Sequence, residues 1–237
     1  MTEATLEQAP SAEDRRRLRR LPLFANASDA TIHDLLAFAP VATIGRNQFA
    51  VREGATPNSL LAVVSGRFAL MTQVAGEQPE VLAMVGRGEL IMAAAAIAAT
   101  SYPLTARAVE EARVASFPLA TLWSAADRDH GFSADLARIA CTEWRTIVSQ
   151  LKDYRLRSAP QRFAAYLVRL ATANGQPHNG AAEVELIDDR KTLASLLGMT
   201  PENLSRTIAQ FRERGVTVTG RTVTIADLAG LADFAGA

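Results

Sequence analysis

Between Asp189 and Gly215 the chain carries two short amphipathic segments, each with its own chemical start and stop. In the second, Thr200 offers an N-cap oxygen and Pro201 has the fixed φ suited to a first helical position. Gly215 supplies the left-handed residue that ends it. At about 100° per residue, Leu204, Ile208 and Phe211 fall on one side and Glu202, Ser205, Arg206 and Ala209 on the other. In the first segment Leu193, Ala194 and Leu197 share a face, and Gly198 stands where that helix must stop. Two short helices joined by a Gly-containing turn make a helix-turn-helix. The following stretch, Val216 to Ile225, alternates β-branched residues about Gly220 and predicts a hairpin, so the whole reads as a winged helix-turn-helix.

Packing takes one face of the second helix and leaves its polar edge free to meet double-stranded DNA. Arg206 can donate two parallel hydrogen bonds to guanine O6 and N7, Glu202 can accept from cytosine N4, and Ser205 can approach a neighbouring base. Each good pair discriminates by roughly 1 to 3 kcal/mol. The plainer alternative is an i,i+4 pair between Glu202 and Arg206 worth about 0.2 to 0.5 kcal/mol. Arg190, Lys191, Thr200 and Arg221 lie where the DNA backbone would pass. Formal net charge is zero, and acids and bases balance even within residues 158–237, so placement rather than bulk charge carries this reading.

Ahead of this region the pattern changes twice. From Val41 to Phe117 brief apolar runs are broken by glycine and proline, as in an antiparallel β-roll or barrel. Residues 27 to 38 predict a helix capped by Ser28 or Asn26. From about Ser133 to Leu156 one long helix runs without Gly or Pro, and Leu136, Ala140, Trp144, Ile147, Leu151 and Tyr154 recur at threes and fours. That seam suits either a second copy of the chain or the roll of the same chain. Arg157 to Pro160 reads as a hinge. The expected fold is α+β in three parts: a β-roll sensor over 1–132, a dimerisation helix and hinge over 133–157, and a winged helix-turn-helix over 158–237. A homodimer would set two recognition helices about 34 Å apart and so demand a palindromic site.

Composition removes other classes. At 237 residues with 49% apolar side chains, two modest globular domains fit. No segment approaches about 18 uncharged apolar residues and the N-terminus lacks a signal-peptide core, so a cytoplasmic protein without membrane insertion is expected. The single cysteine, Cys141, excludes an internal disulfide or a multi-cysteine metal cluster and reads as a small buried hydrophobe on a helix, the alternative being a redox thiol or an inter-subunit disulfide near the dimer seam. The run Arg15 to Arg20 reads as a solvated helix end. There is no G-x-S-x-G, no P-loop and no His, Cys and carboxylate cluster at metal spacing, so an enzyme is not expected.

Leu193-Ala194 with Leu197-Gly198, then Glu202, Ser205-Arg206, Gly215 and Gly220-Arg221, resemble the C-terminal domain of CRP/FNR regulators. Leu21-Pro22-Leu23-Phe24 resembles the opening helix of that family, Val64-Ser65-Gly66-Arg67 its β-roll turn, and the helix before Pro160 its dimerisation helix. The resemblance implies a homodimeric transcription regulator that senses a signal at its roll and recruits or blocks RNA polymerase. Glu-x-x-Ser-Arg is similar to the FNR-like branch and implies a TTGA-type half-site. Some cAMP-receptor relatives carry an arginine where Pro201 stands, which removes one contact.

For ligands the resemblance is divided. FNR-like oxygen sensors hold an iron-sulfur cluster with several cysteines, mostly near the N-terminus; none occurs in the first 40 residues here, so that cluster is not expected. Gly88-Glu89 resembles the ribose-holding pair of cAMP-binding relatives, but their Arg-Ser pair falls near Tyr102-Pro103, so cAMP is not expected unless Arg107 serves. The apolar run Met92 to Ala99 is similar to the heme-dependent nitric-oxide-sensing branch, which makes heme a candidate. His33 is then the candidate axial ligand ahead of His130 and His178, unless the alanines simply pack a helix. An alternative function is a cyclic-nucleotide-binding or other ligand-binding module whose helix-turn-helix meets protein.

Overall fold

A computed structural model describes residues 5–73, 79–174 and 180–236. The chain divides into two compact units, Met1–Thr146 and Ile147–Ala237. The first runs β1 (Thr5–Gln8), α1 (Ala12–Leu18), a 3-10 turn at Pro22–Phe24, α2 (Asp29–Ala37), β2 (Val41–Ile44), β3 (Phe49–Val51), β4 (Ser59–Ser65), β5 (Phe68–Thr72) and β6 (Glu80–Val85). It continues through β7 (Leu90–Ile91), α3 (Ala93–Ile97), β8 (Thr105–Ala108), β9 (Ala112–Pro118) and α4 (Leu119–Arg128). A single long helix, α5 (His130–Leu156), follows.

The described strands of this unit pair antiparallel in two sheets, ordered β1-β2-β9-β4-β7 and β3-β8-β5-β6. β4 explains why two layers form on it. Its Leu60, Ala62 and Val64 join a cluster with Leu23, Phe24, Leu35, Phe117, Leu122 and Phe132 under the helices. Its Leu61 and Val63 point the other way, to Phe68, Leu70, Val85, Ala106 and Ala108 of the second sheet. A strand buried on both faces reads as an unbroken apolar run, as Leu60 to Val64 does, rather than as an alternation.

Helix α5 begins at His130, earlier than its glycine-free stretch, because Gly131 sits in its first turn. A Cβ there would stand 2.1 Å from the Asn26 carbonyl oxygen, so only glycine lets these backbones meet. Carboxylates complete the fastening. Asp129 accepts the Ser28 N–H at 2.8 Å and the Phe132 N–H at 3.1 Å, and the fully buried Asp135 accepts the Asn26 N–H at 2.6 Å and its Nδ2 at 2.7 Å. The Ser28 N–H and the Thr31 hydroxyl hold the Asp129 carboxyl well below the usual carboxylate range.

The second unit takes the end of α5 and adds α6 (Ala159–Asn174), β10 (Ala182–Glu185), α7 (Arg190–Leu196), α8 (Pro201–Phe211), β11 (Val216–Thr219), β12 (Thr222–Ile225) and α9 (Leu228–Ala235). The predicted hairpin is present, with Val216 opposite Ile225 and Val218 opposite Val223. β10 adds a third strand beside β12, giving the order β10-β12-β11. The core is built on Phe163, Leu193, Leu197, Leu204, Ile208, Phe211, Val223 and Leu231. Phe211 meets Phe163 edge-on at 5.2 Å and Phe234 at 5.8 Å between ring centroids. This is the α+β architecture expected: antiparallel roll, long helix and winged helix-turn-helix.

One buried ion pair in the first unit generates a test. Asp14, 1% exposed, accepts two hydrogen bonds at 2.8 Å from Arg113 of β9 and closes a capping box with Ser11. The Arg113 hydrogen bond, against the cost of burial, brings the Asp14 carboxyl down to about 2. A depressed carboxyl stabilises the fold fully above its unfolded value near 3.9 and ceases to do so as pH falls through about 2. Asp14→Asn should lower unfolding free energy by about 2 kcal/mol at pH 7 and flatten the decline of wild-type stability between pH 4 and 2, as read by denaturant titration.

Candidate nucleic-acid interface

Each helix of the pair starts on a side-chain cap. Asp189 Oδ1 accepts the Thr192 N–H at 2.8 Å at the head of α7, and Thr200 Oγ1 accepts the Asn203 N–H at 3.2 Å at the head of α8. Gly198 between them has φ +59°, and Gly215 after a short 3-10 turn has φ +72°. The periodicity of α8 sorts its faces as expected: Leu204, Thr207, Ile208 and Phe211 are buried, whereas Glu202, Asn203, Ser205, Arg206, Ala209 and Gln210 are exposed. Glu202, Ser205 and Arg206 therefore lie together on the open edge.

The polar groups on that edge are held in local hydrogen bonds. Ser205 Oγ donates to the Pro201 carbonyl at 3.0 Å, which leaves its lone pairs outward. Arg206 donates through Nη2 to Asn203 Oδ1 and is not paired with Glu202, so the i,i+4 ion pair is absent among the described residues. Glu202 turns back to its own N–H and the Thr200 hydroxyl, and these bonds, ahead of the Arg206 charge, keep its carboxyl below the ordinary range. The edge thus presents an ionised acceptor and a guanidinium one turn apart. Asn203, which steers that guanidinium, was missed by sequence reasoning, although its i,i+3 spacing to Arg206 was a usable signal.

Arg190 and Lys191 are exposed in the first turn of α7. Arg221, at the tip of the hairpin, donates through Nε to the Leu186 carbonyl at 3.0 Å and through Nη2 to the Ile187 carbonyl. A guanidinium has five N–H donors, so Arg221 is braced yet keeps others for a phosphate. Arg162 was also missed: it donates to the carbonyls of Arg157, Leu197 and Gly198 at 2.8, 2.7 and 3.1 Å.

The profile of the Crp-like helix-turn-helix domain matches residues 161–234, and that of the cyclic nucleotide-binding domain matches residues 42–129. An anaerobic regulatory protein of Haemophilus influenzae is 26% identical over 194 residues, covering 81% of this chain and 75% of that protein. The fumarate and nitrate reduction regulatory protein of Escherichia coli is 25% identical over 194 residues, covering 81% and 77%. The chain belongs to the CRP/FNR family of transcription regulators. A CooA mutant from Carboxydothermus hydrogenoformans shares the fold at a TM-score of 0.72, with 18% identity over 83% of this chain and 88% of that one. The domains and relatives are those of transcription regulators, not of enzymes. Among the described residues no helix is long and apolar enough to cross a membrane.

In this CRP/FNR regulator the two cores of the roll are lined by apolar side chains, and on β8 the Nε of Arg107 is buried without a hydrogen-bond partner. Among the described residues the buried polar side chains are Asp14, Thr31, Asp135 and Thr207, none of them on a strand of the roll. Tyr102, where the family's phosphate-holding pair would fall, is 4% exposed, donates to the Ser59 carbonyl at 3.3 Å, and has its phenol pushed up to about 12 by burial. Arg107 alternates with Ala106 and Ala108, which face the inter-sheet core, so its side chain leaves from the opposite face of β8. Glu89 accepts the Gly86 N–H at 2.6 Å and closes a turn.

The alanine run packs as α3. Ala93 and Ala96 meet the helical core, while Met92 and Ala95 meet the inter-sheet core, so the small side chains permit close approach. His33 is exposed on α2, in a shallow groove with Arg15, Arg16, Arg19, Ile32, Leu36 and Ala37. None of Met92 to Ala99 lines that groove, whose other walls are arginines and aliphatic side chains. His130 is exposed at the first position of α5, and His178 lies outside the described residues. Cys141 lies on α5 as expected but is exposed rather than buried, so it is not a core hydrophobe.

The seam residues also separate. Leu136 is 4% exposed in the core of its own unit, which satisfies its apolar surface within the chain, and Ala140 is half-buried. Trp144, Ile147, Leu151 and Tyr154 are 66%, 52%, 54% and 63% exposed. The α8 cap supplies a second test: Thr200→Ala should cost about 1 kcal/mol of stability, measured by urea unfolding followed by circular dichroism.

Proposed function

We propose that the protein works as a homodimer on a palindromic DNA site with TTGA-type half-sites. α8 enters the major groove with Glu202, Ser205 and Arg206 at base edges, while Arg190, Lys191, Thr200 and Arg221 meet the backbone. The observation that carries this reading is the edge of α8: its inner face is buried, and its outer face holds a guanidinium oriented by Asn203 beside an ionised carboxylate. The large apolar side chains Trp144, Ile147, Leu151 and Tyr154 stand exposed at helical spacing on α5, as a seam for a second copy requires. Leu136 serves the intrachain core, so the seam runs on from Ala140.

In this reading residues 1–132 receive a signal, 133–157 carry the seam and hinge, and 158–237 read DNA. The signal shifts the population of DNA-domain orientations. The protein acts in the cytoplasm, and its effect on RNA polymerase follows from where its site lies.

Selection of bound duplexes from a random library tests the reading, with a two-fold symmetric consensus expected. A dimer loses its contact at both half-sites, each by roughly 1 to 3 kcal/mol, so Arg206→Ala should weaken consensus binding by at least about thirtyfold. Ile147→Glu should yield a monomer in sedimentation and lose the palindrome. No enriched duplex would instead favour a ligand-binding module whose helix-turn-helix contacts protein, and wild-type binding by Arg206→Ala would remove that residue from the base contacts.

A further inference from the structure

The strongest unassigned arrangement in the second unit is at the turn between α7 and α8, where it meets the end of α5. Arg162, near the start of α6, places one planar guanidinium against three backbone carbonyls. Nη1 donates to Arg157 at 2.8 Å, just after α5 ends; Nε donates to Leu197 at 2.7 Å and Nη2 to Gly198 at 3.1 Å, in the turn between α7 and α8. Carbonyls at a helix end lack intrahelical partners and carry the negative end of the helix dipole, so a cation that donates to them is doubly favourable.

Tyr154, in the last turns of α5, closes the arrangement. Its ring lies under the Arg162 Cζ at 5.1 Å, within reach of a cation–π interaction. The same ring sets the identity of residue 198. A Cβ on Gly198 would lie 2.6 Å from Tyr154 Cε2, and the φ of +59° there already disfavours a side chain. Two independent requirements thus converge on one glycine, which is what a turn held against a neighbouring ring needs.

We infer that Arg162, backed by Tyr154, is a positioning residue for DNA recognition: it clamps the α7–α8 turn to the end of α5 and so sets the attitude of α8. Arg162 touches no base in this arrangement. It acts by restricting the turn from which α8 departs, so that the edge bearing Arg206 arrives pre-oriented. The inference rests on the reading of α8 as the base-reading helix. It adds the link by which the end of α5, where the proposed seam terminates, bears on that helix.

Lysine is the discriminating substitution, because it keeps the charge but cannot span three carbonyls with a planar fork. In the full-length protein, Arg162→Lys should weaken binding of the library-selected duplex at least tenfold, about 1.4 kcal/mol. Amide hydrogen exchange should accelerate at the hinge and the 197–199 turn while the β11–β12 hairpin keeps its protection. Gly198→Ala, which drives a methyl into Tyr154, should open the same segment and weaken the same duplex. Unchanged exchange in Arg162→Lys would overturn the clamp, and faster exchange with wild-type DNA affinity would reduce Arg162 to a structural brace and overturn its positioning role. Should the wild type select no duplex, the DNA reading itself fails and the positioning role is overturned with it, while exchange alone still decides whether the clamp exists.

Discussion

The burial of Leu204, Thr207, Ile208 and Phe211 is what orients the opposite edge of α8. Leu204 is fully buried and Phe211 is 1% exposed, and each such side chain favours the folded state by roughly 1.5 to 3 kcal/mol. Phe211 also sits between Phe163 of α6 and Phe234 of α9, so the helix cannot roll without breaking contacts on both sides. Rolling by one residue, about 100°, would carry polar side chains of the outer edge toward the core. A face buried this firmly can leave Glu202, Ser205 and Arg206 in water with no apolar partner of their own. The three-stranded sheet extends the same core, with Val184, Val216, Val223 and Ile225 facing inward from neighbouring strands.

The first unit solves a different problem with similar means. Its roll must close two cores on one strand, and β4 does so by burying Leu60, Ala62 and Val64 on one side and Leu61 and Val63 on the other. The helices around it are tied down by carboxylates: Asp14 to Arg113, Asp129 to the Ser28 N–H, Asp135 to Asn26, and Glu143 of α5 to the Ala94 N–H at 2.8 Å. Glu143 is half-buried, and that burial raises its carboxyl above the ordinary range against the pull of the Ala94 and Ala93 N–H groups. α3 follows Met92, which takes a left-handed φ of +45°. Glu143 thus bonds to the first turn of a segment whose start carries backbone strain.

What could be read from residues alone was what local chemistry encodes. Ser28, Thr200 and Gly215 mark helix ends through bonds to residues three away, and the structure makes those bonds, while Pro201 marks a helix start by its fixed φ. The faces of α8 and the β11–β12 register follow from periods of 3.6 and 2. Arg162 to Leu197 spans 35 positions, Arg221 to Leu186 spans 35 and Asp14 to Arg113 spans 99, and no periodicity reports such pairs. The start of α5 was hidden for a related reason. Gly131 signals a break by propensity, and only the Asn26 backbone lying against it makes glycine the residue the helix needs. Leu136 fits the seam spacing, yet spacing alone cannot say whether the partner surface belongs to the same chain or another.

A chain with no net charge has to meet a polyanion by arrangement. Many cations of the second unit are already engaged: Arg157 and Arg169 with Asp153, Arg162 with three carbonyls, Arg214 over the Phe234 ring at 3.9 Å, and Arg221 with Leu186 and Ile187. These contacts leave the cations charged but remove their freedom, so less side-chain entropy remains to be lost when a phosphate or base arrives. Arg206 follows the same pattern at smaller scale, held by Asn203 with its other donors outward. Counterion release is then limited to the few cations placed at phosphates, and orientation favours correct sequences over arbitrary ones because a misdirected fork gains little. The neutrality that argued against nucleic-acid binding in bulk is thus compatible with a reader whose few cations are aimed in advance.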